Sequence, residues 1–262
     1  MNKKMLIKSL TAIAIIAAVL PPLMTGGVFL RVFIAAVLAI ASYEIASVSD
    51  QQPHYFLTVC CFAASAAMSL VSADVFAGVT AIWMVVLFTM ELVMEKMTAD
   101  QVTYTFTLTV LFSMAVRCLA RIYAQQNPFL ILLYVAIACF MCDTMAYFTG
   151  VFFGKHKMIP RISPNKTWEG AIGGYVCAAA ASMVYGLLVV KQMPAYLIVA
   201  GSLILPAVAQ IGDLSFSSVK RHFGIKDFGN LLPGHGGVLD RIDSLLFCLI
   251  VFNYLMALWG IV

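Results

Sequence analysis

The sequence predicts an all-α fold, a polytopic integral membrane helical bundle of about nine transmembrane helices, within a range of eight to ten. Hydrophobic residues make up 63% of the chain and charged residues only 11%, and the mean hydropathy is +0.98. A soluble domain carries about 25% charged residues, so this much apolar surface needs lipid as its solvent. The apolar residues also fall into runs of about 20, the length that crosses a bilayer as a helix.

Nine runs of this length follow one another along the chain. They cover roughly residues 6–24, 27–48, 55–73, 76–95, 104–122, 127–149, 171–190, 195–212 and 243–261. The first run ends at Pro21-Pro22 and lacks a small-residue cleavage site, so we interpret it as a retained helix and not as a signal peptide. Pro206 is expected to kink or shorten the eighth helix.

The distribution of lysine and arginine predicts the orientation of these helices. With the N-terminus in the cytoplasm, twelve of the sixteen basic residues fall on the inner side, in agreement with the positive-inside rule. We expect one membrane domain over 1–262, with N-terminal transmembrane helices in 1–140 and a catalytic membrane region in 141–262. The polar segments 150–170 and 213–242 are expected to be loops, and two crossings between them place both on the cytoplasmic face.

The segment 213–242, with Asp243 directly after it, contains cations, a glycine-rich turn and carboxylates. Asp240 and Asp243 are three residues apart, so a helix beginning near Val238 places both on one face. Two such carboxylates repel each other unless a cation lies between them, and oxygen ligands indicate Mg²⁺. Asp213, at the expected end of the eighth helix, could supply a further ligand. The alternative is a salt-bridged loop in which the acids cap and pair at a helix start.

The segment 150–170 has the features of an anion site. Ser163 is a favourable N-cap and Pro164 a favourable first helical residue, so we expect a helix to begin there. Its free amides would attract an anion, and Lys166 would add a mobile charge. The alternative is a capped helix start with basic residues on the inner face. Asp143, within the sixth apolar run, requires a cavity, a cation or a structural ion pair.

Both segments resemble motifs of one family, the CDP-diacylglycerol synthases, also called phosphatidate cytidylyltransferases. Residues 163–170 match its pattern Ser-Pro-x-Lys-Thr-x-Glu-Gly. The fixed places of its longer signature are filled by Ser217, Val219, Lys220, Arg221, Lys226, Asp227, Gly229, Leu232, Pro233, His235, Gly236, Gly237, Val238, Asp240, Arg241, Ile242 and Asp243. The resemblance implies transfer of the cytidylyl group from CTP to phosphatidate at a metal-assisted site.

Roles for individual residues follow from the resemblance combined with their chemistry. The expected catalytic residues are Asp213, Lys226, His235, Asp240, Arg241 and Asp243. The expected substrate-binding residues are Ser163, Asn165, Lys166, Thr167, Lys220, Arg221, Gly236 and Gly237. The expected Mg²⁺ ligands are Asp143, Asp213, Asp240 and Asp243, with a second, monovalent cation as an open alternative. Whether His235 acts as a base or only as a hydrogen-bond donor stays open.

The expected partners are CTP, phosphatidate and the lipid bilayer, with no nucleic acid and with a homodimer left open. The expected location is a bacterial-type inner membrane with the active site facing the cytoplasm. One alternative function is a related CTP-dependent polyprenol or lipid kinase, which would transfer the γ-phosphate. An alternative from a different class is an ion-coupled membrane transporter, which would favour discontinuous helices in paired halves.

Overall fold

The computed structural model describes residues 3–48, 54–94, 97–231 and 236–261. These residues form nine α-helices and one two-stranded β-sheet, which confirms the expected all-α class and the count of about nine. The elements are α1 (Lys3–Thr25), α2 (Gly27–Ala46), α3 (Tyr55–Leu70), α4 (Ala73–Val93), α5 (Ala99–Tyr123), α6 (Pro128–Phe153), β1 (Lys157–Ile159), β2 (Ser163–Thr167), α7 (Trp168–Val189), α8 (Ala195–His222) and α9 (Leu239–Leu258).

Seven of these helices are long and apolar enough to cross a membrane: α2 and α4 to α9. The other two have shorter apolar stretches, Thr11–Thr25 in α1 and Tyr55–Leu70 in α3. Large apolar side chains stay exposed on the helix surfaces; Leu92, for example, is 87% exposed. Such surfaces are stable only in contact with lipid or with another apolar surface. The protein is therefore an integral membrane protein.

The helix α8 is longer than the sequence pattern suggested. Its expected end was residue 212, but it continues to His222 and carries Asp213 well inside the helix. The reason is a buried face at helical spacing, which extends past that point. This face consists of Leu205, Ala209, Gly212, Phe216 and Lys220. Pro206 lies within α8 and does not end it.

The segment before α7 forms a hairpin and not the expected helix start. Ser163 and Pro164 lie in β2, which pairs antiparallel with β1, so the expectation that Ser163 caps a helix is wrong. The helix begins at Trp168, and its N-cap is Thr167, whose hydroxyl accepts a hydrogen bond from the Gly170 amide at 3.2 Å. Threonine suits both the end of a strand and an N-cap, and a two-stranded sheet tolerates a proline at its edge.

The described chain forms two compact units. Unit 1 consists of Met1–Arg117 and Ile225–Arg241, and unit 2 of Cys118–Gly224 and Ile242–Val262. Unit 1 thus contains α1 to α4, most of α5 and the segment that leads into α9. Unit 2 contains α6, the hairpin, α7, α8 and most of α9. The single membrane domain over 1–262 and its division near residue 140 stay predictions.

Each unit has its own buried interior. In unit 1, Arg117 donates hydrogen bonds to the carbonyls of Met68 and Val71 at the end of α3 and lies 5.0 Å above the ring of Phe76. In unit 2, Tyr134 packs against Phe252 with ring centroids 5.5 Å apart and donates its hydroxyl hydrogen to the Ile198 carbonyl at 2.8 Å. These contacts give hydrogen-bond partners to polar groups that would find none in lipid.

Candidate active site

Unit 2 brings together charged side chains from four elements. We call them the carboxylate cluster: Asp143 of α6, Lys166 of β2, Asp213 of α8 and Asp243 of α9. The Lys166 ammonium forms an ion pair with a carboxylate oxygen of Asp213. The charges of Asp213, Lys166 and Asp243 all act on Asp143. The cluster thus contains three carboxylates and one ammonium, and the Lys220 ammonium also acts on Asp243.

The carboxylate cluster is partly exposed although three of its four side chains lie on membrane helices. Asp143 is exposed, and the side chains of Lys166 and Asp213 are 31% and 25% exposed. A carboxylate in the interior of an apolar helix is stable only where it faces water, a partner or a cation. We therefore expect the Asp143 carboxylate to face one of these three and not lipid.

Close packing of α7 on α6 fixes the position of this cluster. A Cβ atom at Gly170 would lie 2.7 Å from the Ala146 carbonyl oxygen, and one at Gly174 would lie 2.6 Å from the Cys142 carbonyl oxygen. Small residues four apart allow two membrane helices to approach this closely. The contact holds the start of α7, and hence β2, against the α6 turn that carries Asp143.

Glu169 anchors the residues directly before β1 to the start of α7. One carboxylate oxygen accepts hydrogen bonds from the backbone amides of Lys155 and His156 at 3.1 and 3.2 Å. The other oxygen lies 2.6 Å from Nδ1 of His156. Because Glu169 belongs to the first turn of α7, these bonds join both ends of the hairpin. Lys166 is thereby held on a short, braced strand.

The other expected substrate-binding residues of the hairpin differ in exposure. Asn165 is exposed and Ser163 is half-buried, whereas Thr167 is buried and caps α7. Arg221 of α8 donates from Nε to the Ile162 carbonyl at 3.3 Å, so it also braces the turn of the hairpin. Lys220 is 9% exposed and lies within electrostatic range of Asp243. Substrate binding by these residues stays a prediction.

Unit 1 contains the second group of motif residues, around the start of α9. One oxygen of Asp240 accepts hydrogen bonds from the backbone amides of Phe228 and Gly237 at 2.8 and 3.0 Å. The Gly237 amide, expected to approach an anion, therefore already binds a carboxylate of the chain itself. Gly236 has φ of 81°, a conformation that favours glycine.

The expected catalytic residues of this group other than Asp240 are exposed or lie outside the described residues. Lys226 and Arg241 are exposed. His235 lies outside the described residues, as do Leu232 and Pro233 of the signature. Asp240 belongs to unit 1, whereas Asp143, Asp213 and Asp243 belong to unit 2.

Glu44 is a component of this region that the sequence analysis did not identify. It lies near the end of α2, is 2% exposed, and accepts hydrogen bonds from the backbone amides of Val238 and Leu239. The signal available in the sequence was a lone acid within the second apolar run, which is costly in a membrane helix unless it has a role.

The carboxylates fit a magnesium ion in their chemistry. Among the described residues, no group of three or more His, Cys, Asp and Glu side chains is placed to hold a metal ion. Mg²⁺ at phosphate-transfer sites, however, takes only one or two protein carboxylates and completes its shell with water and substrate oxygens. The carboxylate cluster supplies such oxygens with more negative charge than Lys166 neutralises. Metal binding stays a prediction.

The fold and the site together define a polytopic helical membrane protein whose polar site is built from carboxylates and lysines on two motif segments. The model of the cytidylyltransferase family matches residues 6–259. The chain belongs to this family.

Two of three curated relatives are similar to nearly the whole chain. A phosphatidate cytidylyltransferase of Staphylococcus epidermidis is 32% identical over 260 residues, which are 96% of this chain and 99% of the relative. One of Staphylococcus aureus is 33% identical over 265 residues, with the same coverage. One of Staphylococcus haemolyticus is 46% identical over 125 residues, 48% of each chain.

Proposed function

We propose that this protein is a membrane nucleotidyltransferase that transfers the cytidylyl group from CTP to phosphatidate. The products are CDP-diacylglycerol, an intermediate of phospholipid biosynthesis, and pyrophosphate. The observation that carries the proposal is the ion pair between Lys166 and Asp213. These residues are 47 positions apart, one in each of the two segments that resemble the family's motifs. The near-full-length similarity to the staphylococcal enzymes supports the same reaction.

The chemistry requires the meeting of two polyanions. A phosphate oxygen of phosphatidate attacks the α-phosphorus of CTP, the bond from that phosphorus to the bridging oxygen breaks, and pyrophosphate leaves. The nucleophile is already anionic at neutral pH, so no general base is needed to deprotonate it. The protein contributes charge neutralisation and positioning, as in other phosphoryl transfers.

The cations of the motifs are suited to this task. Lys166, Lys226 and Arg241 hold phosphates in the proposed mechanism, and Lys220 and Arg221 bind the lipid headgroup or the nucleotide. Lys166 pairs with Asp213. A phosphate of the substrate would compete with Asp213 for the same ammonium, so substrate binding and the release of Asp213 are coupled.

Mg²⁺ is part of the proposal, with Asp143, Asp213, Asp240 and Asp243 as the residues that would hold it. When bound, the ion would neutralise triphosphate charge and stabilise the charge that develops on the leaving pyrophosphate. The release of Asp213 from Lys166 would make its carboxylate available as a ligand.

The proposed location is the inner membrane of a bacterium, with the active site on the cytoplasmic side, where CTP is present. The distribution of basic residues supports this orientation. Because the acyl chains of phosphatidate stay in the bilayer, a site at the carboxylate cluster must be accessible from both water and lipid.

The position of a label in CTP tests the reaction. The purified protein in mixed micelles receives phosphatidate, Mg²⁺ and CTP labelled at either the α- or the γ-phosphate. We expect the α-label in the lipid product and the γ-label in pyrophosphate. Transfer of the γ-label to a lipid would instead indicate the lipid kinase, and absence of labelled lipid in both arms would reject a CTP-dependent transferase. Diacylglycerol in place of phosphatidate is the substrate control.

A further inference from the structure

Glu44 forms an unusual pair of contacts within unit 1. Its carboxylate is buried, and each oxygen accepts one backbone hydrogen bond: Oε1 from Val238 and Oε2 from Leu239, both at 2.8 Å. In the part of the chain that the structure describes, the charge is thus balanced by backbone amides and not by a lysine or arginine ion pair. A buried carboxylate held in this way fixes the backbone that binds it.

The amides that Glu44 binds are those at the start of α9. The first amides of a helix have no partners within the helix, and they form its positive dipole end. The usual solution is a Ser, Thr, Asp or Asn side chain at the N-cap, but Val238 stands directly before α9, and its side chain has no atom that can accept a hydrogen bond. Glu44, 194 positions earlier in the chain, supplies the missing acceptor.

Two glycines of the signature make room for this carboxylate. A Cβ atom at Gly237 would lie 2.5 Å from Oε1 of Glu44, and one at Gly229 would lie 2.7 Å from the same oxygen. Any side chain at either position would displace Glu44. Both flanks of the segment 230–236 therefore pack against one buried carboxylate.

Asp240 depends on the same arrangement. It accepts hydrogen bonds from the amides of Phe228 and Gly237. Phe228 directly precedes Gly229, which packs against Glu44. Gly237 directly precedes Val238, whose amide donates to Glu44. Glu44 and Asp240 are also near enough to repel each other electrostatically. The orientation of Asp240 is thus set by a segment whose position Glu44 fixes.

We propose that Glu44 is a positioning residue that holds Gly229, Gly237 and the first turn of α9, so that Asp240 has the orientation needed for cytidylyl transfer. This inference rests on the proposed function for its catalytic consequence. Glu44 is 2% exposed and both of its oxygens accept backbone hydrogen bonds, so it acts through Asp240 without touching substrate. Its loss should therefore lower kcat by a larger factor than it raises the KM for CTP or the KM for phosphatidate.

The first variant is Glu44→Gln, which keeps the shape but replaces one acceptor oxygen with an NH₂ group that cannot accept a hydrogen bond. We expect kcat to fall about 10- to 100-fold, the range typical of hydrogen bonds to charged groups, with changes below about threefold in the KM for CTP and phosphatidate. Glu91→Gln is the matched control, because it makes the same chemical change on a half-buried carboxylate of α4 in unit 1. Its kcat should stay near that of the wild type.

Hydrogen exchange tests the contact without relying on activity. In Glu44→Gln, the amides of Val238 and Leu239 should exchange at least about tenfold faster than in the wild type, whereas those of α4 should be unchanged. Unchanged exchange together with wild-type kcat would overturn the proposal. Faster exchange with wild-type kcat would also overturn it, because the segment would then move without affecting the reaction.

A second variant covers the case in which Glu44→Gln does not fold. Gly237→Ala keeps the charge but places a methyl group against Oε1, and we expect a similar loss of kcat. In the double variant Gly237→Ala/Glu44→Asp, the shorter acid leaves space for the methyl group, so part of the lost kcat should return. Full activity of Gly237→Ala alone would contradict the proposal. If the wild type itself forms no CDP-diacylglycerol, the proposed function fails, and the exchange data then report only on the contact.

Discussion

At the residue scale, Asp240 combines a negative charge with two backbone hydrogen bonds, and one substitution separates the two. Asp240→Asn keeps an oxygen that can accept from Phe228 and Gly237, so the segment should stay folded. The charge is lost, however, and with it the electrostatic contribution that we propose for Asp240. We expect kcat to fall at least about 100-fold while the protein still inserts into membranes, measured by product formation and membrane fractionation.

The control for this prediction is Asp74→Asn, the same change at an exposed acid in the first turn of α4. It should leave kcat near the wild-type value. An Asp240→Asn protein with full activity would contradict both the catalytic role and the metal assignment of Asp240.

Lys166 provides a second prediction at this scale. Its ammonium is half-exposed beside Asp213, where it can exchange that carboxylate for a phosphate of CTP. Lys166→Ala should therefore raise the KM for CTP about 10- to 100-fold and the KM for phosphatidate much less. Steady-state kinetics with each substrate varied in turn measures both constants.

Lys157→Ala is the matched variant, since Lys157 is an exposed lysine on the partner strand of the same hairpin. It should leave both constants near their wild-type values. A larger change for phosphatidate than for CTP in Lys166→Ala would assign Lys166 to the lipid headgroup.

The residues of the carboxylate cluster could be identified from the sequence because charged groups are rare in this chain and costly in lipid. Their grouping was expected only in outline, and the ion pair of Lys166 with Asp213 needed the structure. Glu44 could not be assigned a partner, because it binds backbone amides, which have no sequence signature, at a distance of 194 positions.

At the element scale, the packing of α7 on α6 predicts an effect on stability. Gly174→Ala would place a methyl group 2.6 Å from the Cys142 carbonyl oxygen, so the helices must separate. We expect this overpacking to lower the free energy of unfolding by about 1–3 kcal/mol. Reversible unfolding of the purified protein in mixed micelles, followed by circular dichroism, measures this change.

Gly78→Ala is the corresponding control within a helix, because no atom lies within 4 Å of a Cβ placed at Gly78 in α4. The helix propensity of alanine should leave that variant as stable as the wild type or up to about 1 kcal/mol more stable. Equal stability of both alanine variants would mean that α6 and α7 are not closely packed at Gly174.

Helix existence was easier to predict than helix ends. The apolar runs identified all nine helices, but the polar residues after Gly212 concealed the continuation of α8, whose buried face includes Phe216 and Lys220. The hairpin was missed because its strands have only three and five residues. Ser163 and Thr167 are both acceptable N-caps, and strand pairing decides between them.

At the scale of the whole molecule, hydropathy predicts the fold class but not the division into units. Each apolar run is a local feature of the sequence, and any run of this length can cross the bilayer as a helix. The assignment of residues 225–241 to the same unit as residues 1–117 depends on contacts between distant segments, such as those of Glu44. A linear pattern contains no information on such contacts.

The orientation of the whole chain gives the last prediction. The hairpin and the segment after α8 are separated by two helices, α7 and α8, so both should be on the cytoplasmic side if each helix crosses once. Single cysteines are introduced at three exposed positions: Lys155, Lys191 and Asn230. In bacterial cells, a membrane-impermeant maleimide should label the Lys191→Cys protein in intact cells, and the other two only in inverted vesicles.

The unsubstituted chain is the control for this experiment, because its seven native thiols are buried or half-buried and set the background. Labelling of Asn230→Cys from outside and of Lys155→Cys from inside would place the two motif segments on opposite faces of the bilayer. A single site could not then use both segments, since CTP reaches only one face. Labelling of both the Lys155→Cys and the Asn230→Cys protein from inside would instead agree with the proposed reaction. That reaction requires the phosphate-binding lysines and the carboxylates of both motifs at the membrane face where CTP is present.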